Sequence, residues 1–279
     1  MIDILMATYN GEKFLEEQIR SLLDQTYQEW NLIIRDDESN DKILNVIEKY
    51  NILYPDKIRR LIDHKGQLGP TLSFAALLDY SKADYVMFCD QDDVWLPDKI
   101  SITLNKMKEL EKKNPDLPLL VFTDLSTTDD SLHITSPSFM KSQKFFPEII
   151  HNPTKLLALN IVTGCTVMIN KLSRDFILPI PSSNIGHDQW MAVNLAHYGK
   201  LEFIPHPTVL YRQHGNNSVG SNRIGSMYFL KKMIRPGRQL KIYRDLIIHL
   251  KFKVNIFSFV YYKLSFTLKR LGIRLQNSK

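Results

Sequence analysis

The chain has 279 residues, 44% hydrophobic and 24% charged, with 11 Gly, 13 Pro and 2 Cys. That balance describes a globular chain with a sizeable core and excludes collagen-like, low-complexity and disulfide-stapled proteins. The net charge of +6 is split: residues 1–222 carry 22 Lys/Arg against 29 Asp/Glu, about −7, and residues 223–279 carry 14 Lys/Arg against Asp245 alone, about +13.

In chain order, residues 2–7 (IDILMA) predict a first strand. Residues 11–25 set Phe14, Leu15, Ile19, Leu22 and Leu23 on one helical face. A second strand is expected at 30–35 and a helix at 41–50, with Ser39, Asn40 or Asp41 as its cap. A weaker strand follows at 58–63, then a helix at 71–81 and a strand at 84–89. Residues 97–113 open with Pro97 and end in lysines, both helix signals, and lead into a strand at 118–125. Residues 126–160 are loop-rich. Strand character returns at 161–171, then a helix at 187–199 closed by Gly199, then short strands at 201–205 and 208–214. The remainder reads as helical with a break at 235–237.

This alternation predicts an α/β fold with a mostly parallel central sheet flanked by helices. Ligands in such sheets bind beyond the carboxyl ends of the strands, and the polar residues collect there. The first strand ends in TYNG (8–11), the second in RDDESND (35–41), the fourth in DQDD (90–93). Residues 1–222 are read as one domain, with halves at 1–125 and 126–222, and residues 223–279 as a basic helical extension.

Asp90, Asp92 and Asp93 crowd three carboxylates into four positions. A helix cap needs one Asp, and like charges repel. A divalent cation among them removes the conflict. Neither G-x-G-x-x-G nor G-x-x-x-x-G-K-[ST] occurs, so a bound diphosphate lacks a glycine cradle and needs that cation, Mg²⁺ or Mn²⁺. Asp36 or Asp37 offers an acceptor for the imide N–H of a pyrimidine base. Cys89 and Cys165 sit in apolar runs and are expected as buried thiols.

The stretch ILMATYNGEKFLEEQIRSLLDQTYQEWNLIIRDDESND, followed at the usual distance by YVMFCDQDDVWLPDKI, resembles the inverting nucleotide-sugar glycosyltransferases of family two, which have the GT-A fold. The resemblance covers residues 1 to about 215. It implies a nucleotide-sugar-binding half (1–125) and an acceptor-binding half (126–222). Thr8, Tyr9, Asn10, Asp36 and Asp37 would then hold the nucleoside, joined by Asp90 and Gln91 toward the ribose and diphosphate. Asp90, Asp92 and Asp93, with His214, would hold the metal. The family's general base opens a late helix, and IGHDQWMAV (185–193) puts Asp188 there. His187 supports it, Trp190 is core or a sugar platform, and Thr163 and Gly164 of TGCT frame the acceptor. Arg212 would offset diphosphate charge. Two departures stand out: Glu38 replaces the Gly common in D-D-G-S, and HKGQLGPTLSFAALL (64–78) lacks a frequent Arg.

Within the family the motifs look most like bacterial rhamnosyltransferases and related capsule or O-antigen enzymes. That implies a dTDP-rhamnose or UDP-hexose donor and a lipid-linked glycan acceptor. The tail mixes Lys and Arg with Leu, Ile, Phe and Tyr, the composition of helices on an anionic membrane surface. Its apolar content and the acidic body disfavour nucleic acid. With no signal-like N-terminus and no spanning stretch, the expected address is cytoplasmic, peripheral on the inner face of the membrane. The alternative is a non-catalytic nucleotide-binding, membrane-docking module. A nucleotidyltransferase would need a Gly-rich N-terminal loop that is missing.

Overall fold

The computed structural model describes residues 1–181, 185–214 and 236–273, with side chains in the last stretch from residue 241. The expected loop after His214, the start of the basic tail and its last residues lie outside the described residues.

The strands are β1 (Ile2–Thr8), β2 (Trp30–Asp36), β3 (Ile58–Arg60), β4 (Tyr85–Cys89), β5 (Val94–Trp95), β6 (Leu119–Thr128), β7 (Ile134–Ser136), β8 (Val167–Asn170) and β9 (Lys200–Arg212). The helices are α1 (Glu12–Leu23), α2 (Ile43–Leu53), α3 (Gly69–Tyr80), α4 (Lys99–Lys113), α5 (Phe139–Ser142), α6 (Pro153–Ala158), α7 (Arg174–Ile177), α8 (His187–Tyr198), α9 (Pro236–His249) and α10 (Ile256–Arg270).

The described residues build one sheet of order β3-β2-β1-β4-β8-β6-β9-β5, with β7 on the far end of β6. The four strands from β3 to β4 are mutually parallel, as the helical crossovers between them require. Beyond β4 the sheet is mixed. β8 runs antiparallel to both β4 and β6, and β9 is parallel to β6. β8 is shorter than its apolar run suggested. Thr163 O accepts both the N–H (3.0 Å) and the hydroxyl (2.7 Å) of Thr166, closing a 3₁₀ turn over Gly164–Thr166 before the ladder starts. The two short strands expected at 201–205 and 208–214 are one strand, β9, whose register on β6 shifts opposite Asp124. Pro205 and Pro207 sit at that shift and have no N–H for the ladder.

Strand side chains alternate between two cores. On β1, Ile2, Ile4 and Met6 face Leu15, Ile19, Ile47, Ile100 and Leu104 of α1, α2 and α4. Leu5 faces the other layer, with Leu77 of α3, Leu157 of α6 and Trp190 of α8. That second core continues into Leu246 and Leu250, at the end of α9, and Phe259 and Phe266 of α10, so the described part of the basic tail packs on the body.

Registry then places the chemistry. Thr8 pairs with Asp36 across β1 and β2. Met6 pairs with Cys89 across β1 and β4, so Asp90 emerges beside the end of β1. β5 pairs antiparallel with β9, Val94 to Leu210, which aligns Asp92 and Asp93 with the end of β9.

Candidate active site

The ends of β1 and β2 are tied by a polar lattice. Asp36 Oδ1 accepts the Thr8 hydroxyl at 2.9 Å and the Ser39 hydroxyl at 2.6 Å, and Oδ2 accepts the Ser39 N–H at 2.9 Å. The Asn10 N–H donates to Ser39 Oγ, and Asn10 Oδ1 accepts the Asn40 N–H, both at 2.9 Å. Both turns need left-handed backbone, with φ +48° at Asn10 and +63° at Glu38. Asn tolerates that region; Glu38 holds it at a cost that a Gly would avoid.

Asp37 is buried and has four donors. Its carboxylate accepts Arg35 at 2.6 Å, the Leu68 and Gly69 N–H groups at 2.7 Å each, and the Ser73 hydroxyl at 3.0 Å. Burial pushes this carboxyl up, but the bonds from Leu68, Arg35 and Gly69 outweigh it and hold it below its usual range. A carboxylate has about four lone-pair sites. A base N–H reaching Asp37 must therefore displace one of these donors, whereas Asp36 accepts three. Arg35 also reaches Asp63 at 2.9 Å and Gly66 O at 2.7 Å, anchoring the loop that opens α3.

Gln91 clamps the loops together. Its Oε1 accepts the Tyr9 N–H and its Nε2 donates to Tyr9 O, each at 2.9 Å. A Cβ on Gly11 would sit 2.3 Å from the Gln91 amide carbon, so a larger residue there would push the Gln91 side chain out of this clamp. Gln91, implied as a nucleotide contact, has both amide atoms on the Tyr9 backbone. The Tyr9 ring stays exposed beside the turn.

The acidic turn meets β9. Asp93 is fully buried; its Oδ1 accepts the Arg212 N–H at 3.2 Å, and its Oδ2 has no partner among the described residues. Ligand atoms of Asp90, Asp93 and Cys165 lie within 4.8 Å of one another. Burial, reinforced by the charges of Asp92 and Asp188, pushes the Asp90 carboxyl up to about 7. Burial and the charges of Asp90 and Asp92 push Asp93 well above the usual range. Asp92 Oδ2 lies 2.8 Å from His214 Nε2. The carboxylate oxygens of Asp90 and Asp93 suit Mg²⁺ or Mn²⁺, and burial pushes the Cys165 thiol beside them up, keeping it protonated and out of the ligand set. Since protons occupy the same oxygens, cation binding weakens as pH falls through about 7.

The Arg212 side chain is buried against this cluster. Its guanidinium binds Asp92 O (2.9 Å), Asp130 O and the Glu17 carboxylate, and lies 4.7 Å from the Phe14 ring centroid. The His214 ring stacks on the same Phe14, also at 4.7 Å. The guanidinium that was expected to offset diphosphate charge is thus spent on protein groups and holds the acidic turn in place.

Sequence reasoning missed Lys99. It is fully buried in the first turn of α4, over the Trp95 ring at 4.6 Å, with Nζ 3.4 Å from Thr208 Oγ1. Burial pushes it down to about 8, against the charges of Cys165, Cys89 and Asp93. A cation at a helix N-terminus opposes the dipole. That mismatch was the available signal for a Lys serving nearby acids.

On the acceptor side, Asp188 sits in the first turn of α8, and its Oδ1 accepts the Gln189 N–H at 2.6 Å. Its charge reaches Asp90, so the two carboxylates share one neighbourhood. The His187 ring packs on Phe74 at 4.4 Å and Phe88 at 5.8 Å, and its Nε2 has no hydrogen-bond partner among the described residues. Burial lowers its pKa, favouring the neutral ring. A Cβ on Gly164 would sit 2.6 Å from that Nε2, so Gly164 makes room for His187, beside Thr163. Trp190 is core: it is 5% exposed and its indole N–H donates to Ile177 O at 2.7 Å. Of the two readings of Trp190, core or sugar platform, its burial favours the first.

Residues 3–174 match the family model described as Glycosyl transferase family 2. The chain belongs to glycosyltransferase family 2. The enzyme is 30% identical over 232 residues to the dTDP-rhamnosyl transferase RfbG of Shigella flexneri, covering 78% of this chain and 74% of that one. It is 28% identical over 108 residues to the UDP-Glc:alpha-D-GlcNAc-diphosphoundecaprenol beta-1,3-glucosyltransferase WfgD of Escherichia coli, 38% of this chain and 41% of that one. Among solved structures, S. aureus TarS 1–349 in complex with UDP-GlcNAc superposes with TM-score 0.59 at 15% identity, over 99% of this chain and 74% of that chain. The mannosyltransferase PcManGT of Pyrobaculum calidifontis, in complex with GDP-Man and Mn²⁺, gives 0.57 at 13% identity, over 98% and 76%. At these identities the two structures speak for the GT-A fold alone. Within that fold, the glycosyltransferase brings Thr8, Asn10, Asp36, Asp90, Asp92, Asp93, His214 and Asp188 to one end of the sheet.

Proposed function

We propose that this glycosyltransferase is metal-dependent and inverting, and moves a sugar from a nucleoside-diphosphate donor to a hydroxyl of a lipid-linked oligosaccharide in cell-surface polysaccharide synthesis. The carrying observation is geometric: His187, beside Asp188 in the first turn of α8, packs on Phe88 at 5.8 Å, two residues before Asp90 of the acidic turn. A base and a diphosphate site across one small space are what single displacement needs.

Asp90, Asp92, Asp93 and His214 would hold Mn²⁺ or Mg²⁺, with Asp93 Oδ2 a buried oxygen that has no hydrogen-bond partner among the described residues. When bound, the ion supplies positive charge where the departing β-phosphate oxygen becomes negative. The turn built by Thr8, Tyr9, Asn10 and Asp36 receives the nucleoside, with the exposed Tyr9 ring available to a base face. Asp188 takes the acceptor hydroxyl's proton as that oxygen bonds to the anomeric carbon and the carbon–phosphate oxygen bond breaks on the opposite face. Asp188 leaves that step protonated, and the nucleoside diphosphate leaves with the bonding pair. His187, held neutral against Phe74 and Phe88, fixes the entrance to α8.

The RfbG likeness supports dTDP-rhamnose as donor, with a UDP-hexose as the other choice. The diphosphoundecaprenol acceptor named for WfgD supports a lipid-linked glycan here. Such an acceptor places the enzyme at the inner membrane face, where the basic tail meets anionic lipid. Among the described residues no helix is long and apolar enough to cross a membrane.

A donor screen tests the reading. The enzyme is incubated with dTDP-rhamnose and UDP-hexoses, in Mn²⁺ or in EDTA, and released nucleotide is measured. Turnover of a dTDP- or UDP-sugar, falling at least about 100-fold in EDTA, is expected; equal turnover in EDTA, or none with any donor, rejects it.

A further inference from the structure

We infer that one face of α10 is the surface that enters the membrane, and that it holds the acceptor half of the enzyme against the lipid. This deepens, and rests on, the membrane reading above.

α10 has two unlike faces. Phe259 and Phe266 are buried in the core, and Tyr262 packs beside them. The other face carries Ile256, Phe257, Val260, Tyr261, Leu264 and Leu271, all exposed, with Phe257 at 89% and Leu264 at 60%. At 3.6 residues per turn these positions span an arc of about 140°. No charged residue falls within that arc. The cations of α10 lie off that arc: Lys263 Nζ donates to Ala158 O at 2.7 Å and to Tyr243 Oη, Arg270 Nε donates to Gln143 O at 3.0 Å, and exposed Lys269 lies over the Phe146 ring at 5.7 Å. A soluble helix normally presents the reverse arrangement, apolar side inward and charge outward.

The charge around the stripe names its partner. Lys251 and Lys253, just before α10, are exposed, and residues 236–273 hold eight Lys/Arg against Asp245 alone. An apolar stripe flanked by exposed lysines matches the interface of an anionic bilayer, with aromatic and aliphatic side chains in the acyl boundary and ammonium groups among phosphates. A protein partner would need matching acidic groups as well as an apolar groove; the bilayer supplies both layers at once.

The placement has a consequence for catalysis. α6 touches both α10 and α8: Lys263 binds Ala158 O, and Gln189 Nε2, next to Asp188, donates to Leu157 O at 3.1 Å. Two helix spacings, on the order of 20 Å, therefore separate the membrane face from the helix that carries the base. The turns that would receive the nucleotide lie at the ends of β1, β2 and β4. A lipid-linked acceptor can enter from the bilayer side while the soluble donor arrives from water.

The test is co-sedimentation of the full chain with vesicles of phosphatidylglycerol and phosphatidylcholine in equal parts, and with phosphatidylcholine alone. Phe257→Ser with Leu264→Ser should lower binding to the anionic vesicles about tenfold or more while leaving donor hydrolysis and the circular dichroism spectrum unchanged. Lys251→Glu with Lys253→Glu should remove the preference for anionic lipid. If the wild type binds anionic vesicles and the Phe257/Leu264 variant binds equally well, the α10 face is overturned although membrane association stands. If the wild type binds neither vesicle, both fall. A wild-type dimer that the Phe257/Leu264 variant dissociates, without vesicle binding, also overturns the proposal and gives the face to a second copy of the chain.

Discussion

Asp188→Asn lowers glycosyl transfer by about 10²–10⁴-fold, the range of a lost general base, in a protein that folds normally. The substitution keeps shape and leaves the Oδ1 acceptor that meets the Gln189 N–H. It removes only the capacity to take a proton. Trp190 and Met191 behind it are buried and untouched. Donor affinity should hold, because Asp188 lies on the acceptor side. Cation affinity below pH 7 should not fall, since the loss of a neighbouring negative charge lets the Asp90 carboxyl ionise more readily. Steady-state kinetics with an acceptor, beside nucleotide binding by the same variant, separate these effects. Full transfer activity in Asp188→Asn removes it from the role of base.

Arg35→Ala costs about 3–5 kcal/mol of folding stability, the usual penalty for stranding a buried charge. The Arg35 and Asp37 side chains are 2% and 6% exposed and meet at 2.6 Å. Asp63, 15% exposed, takes the other side of the guanidinium. Burial opposes the charge on Asp37 and Asp63 alike, but the bonds they receive win, and both carboxyls sit below their usual values in the folded chain. Groups with lowered folded pKa contribute stability above the unfolded value, near 4, and lose it as pH falls through the folded value. The wild type should therefore lose stability in acid below about pH 4, and Arg35→Ala should flatten that slope. Arg35→Lys should not rescue it, because a single ammonium cannot reproduce the fork that spans Asp37, Asp63 and Gly66 O. Urea unfolding at pH 7 and at about pH 3 reads both effects; a loss under about 1 kcal/mol at pH 7 would contradict the buried-charge account.

The first half of the fold could be read from the chain because its physics is local. Continuous apolar strands alternate with amphipathic helices, and right-handed crossovers leave one way to assemble β3-β2-β1-β4. The polar turns at 8–11, 35–41 and 90–93 then fall at one edge. What stayed hidden depends on pairing between distant segments. Arg212 and Glu17 are 195 residues apart, so nothing in YRQH signals that this Arg is spent on α1 and the acidic turn instead of a phosphate. Gln91 and Tyr9 pair across 82 residues in the same way. Trp190 invites a sugar-binding reading on composition, yet α8 turns it toward Ile177. The tail was legible as basic and apolar together. Which of its side chains pack and which stay outside depended on where α10 met α6.

The most direct measurement is calorimetric titration of UDP and dTDP into the chain at pH 8, with Mn²⁺ and then with EDTA. The account predicts binding of at least one nucleotide that is at least about tenfold tighter with Mn²⁺, weaker at pH 6, and lost in Asp92→Asn. Nucleotide binding of equal strength with Mn²⁺ and EDTA, or intact metal-dependent binding in Asp92→Asn, would contradict a cation-bridged diphosphate at the end of β4.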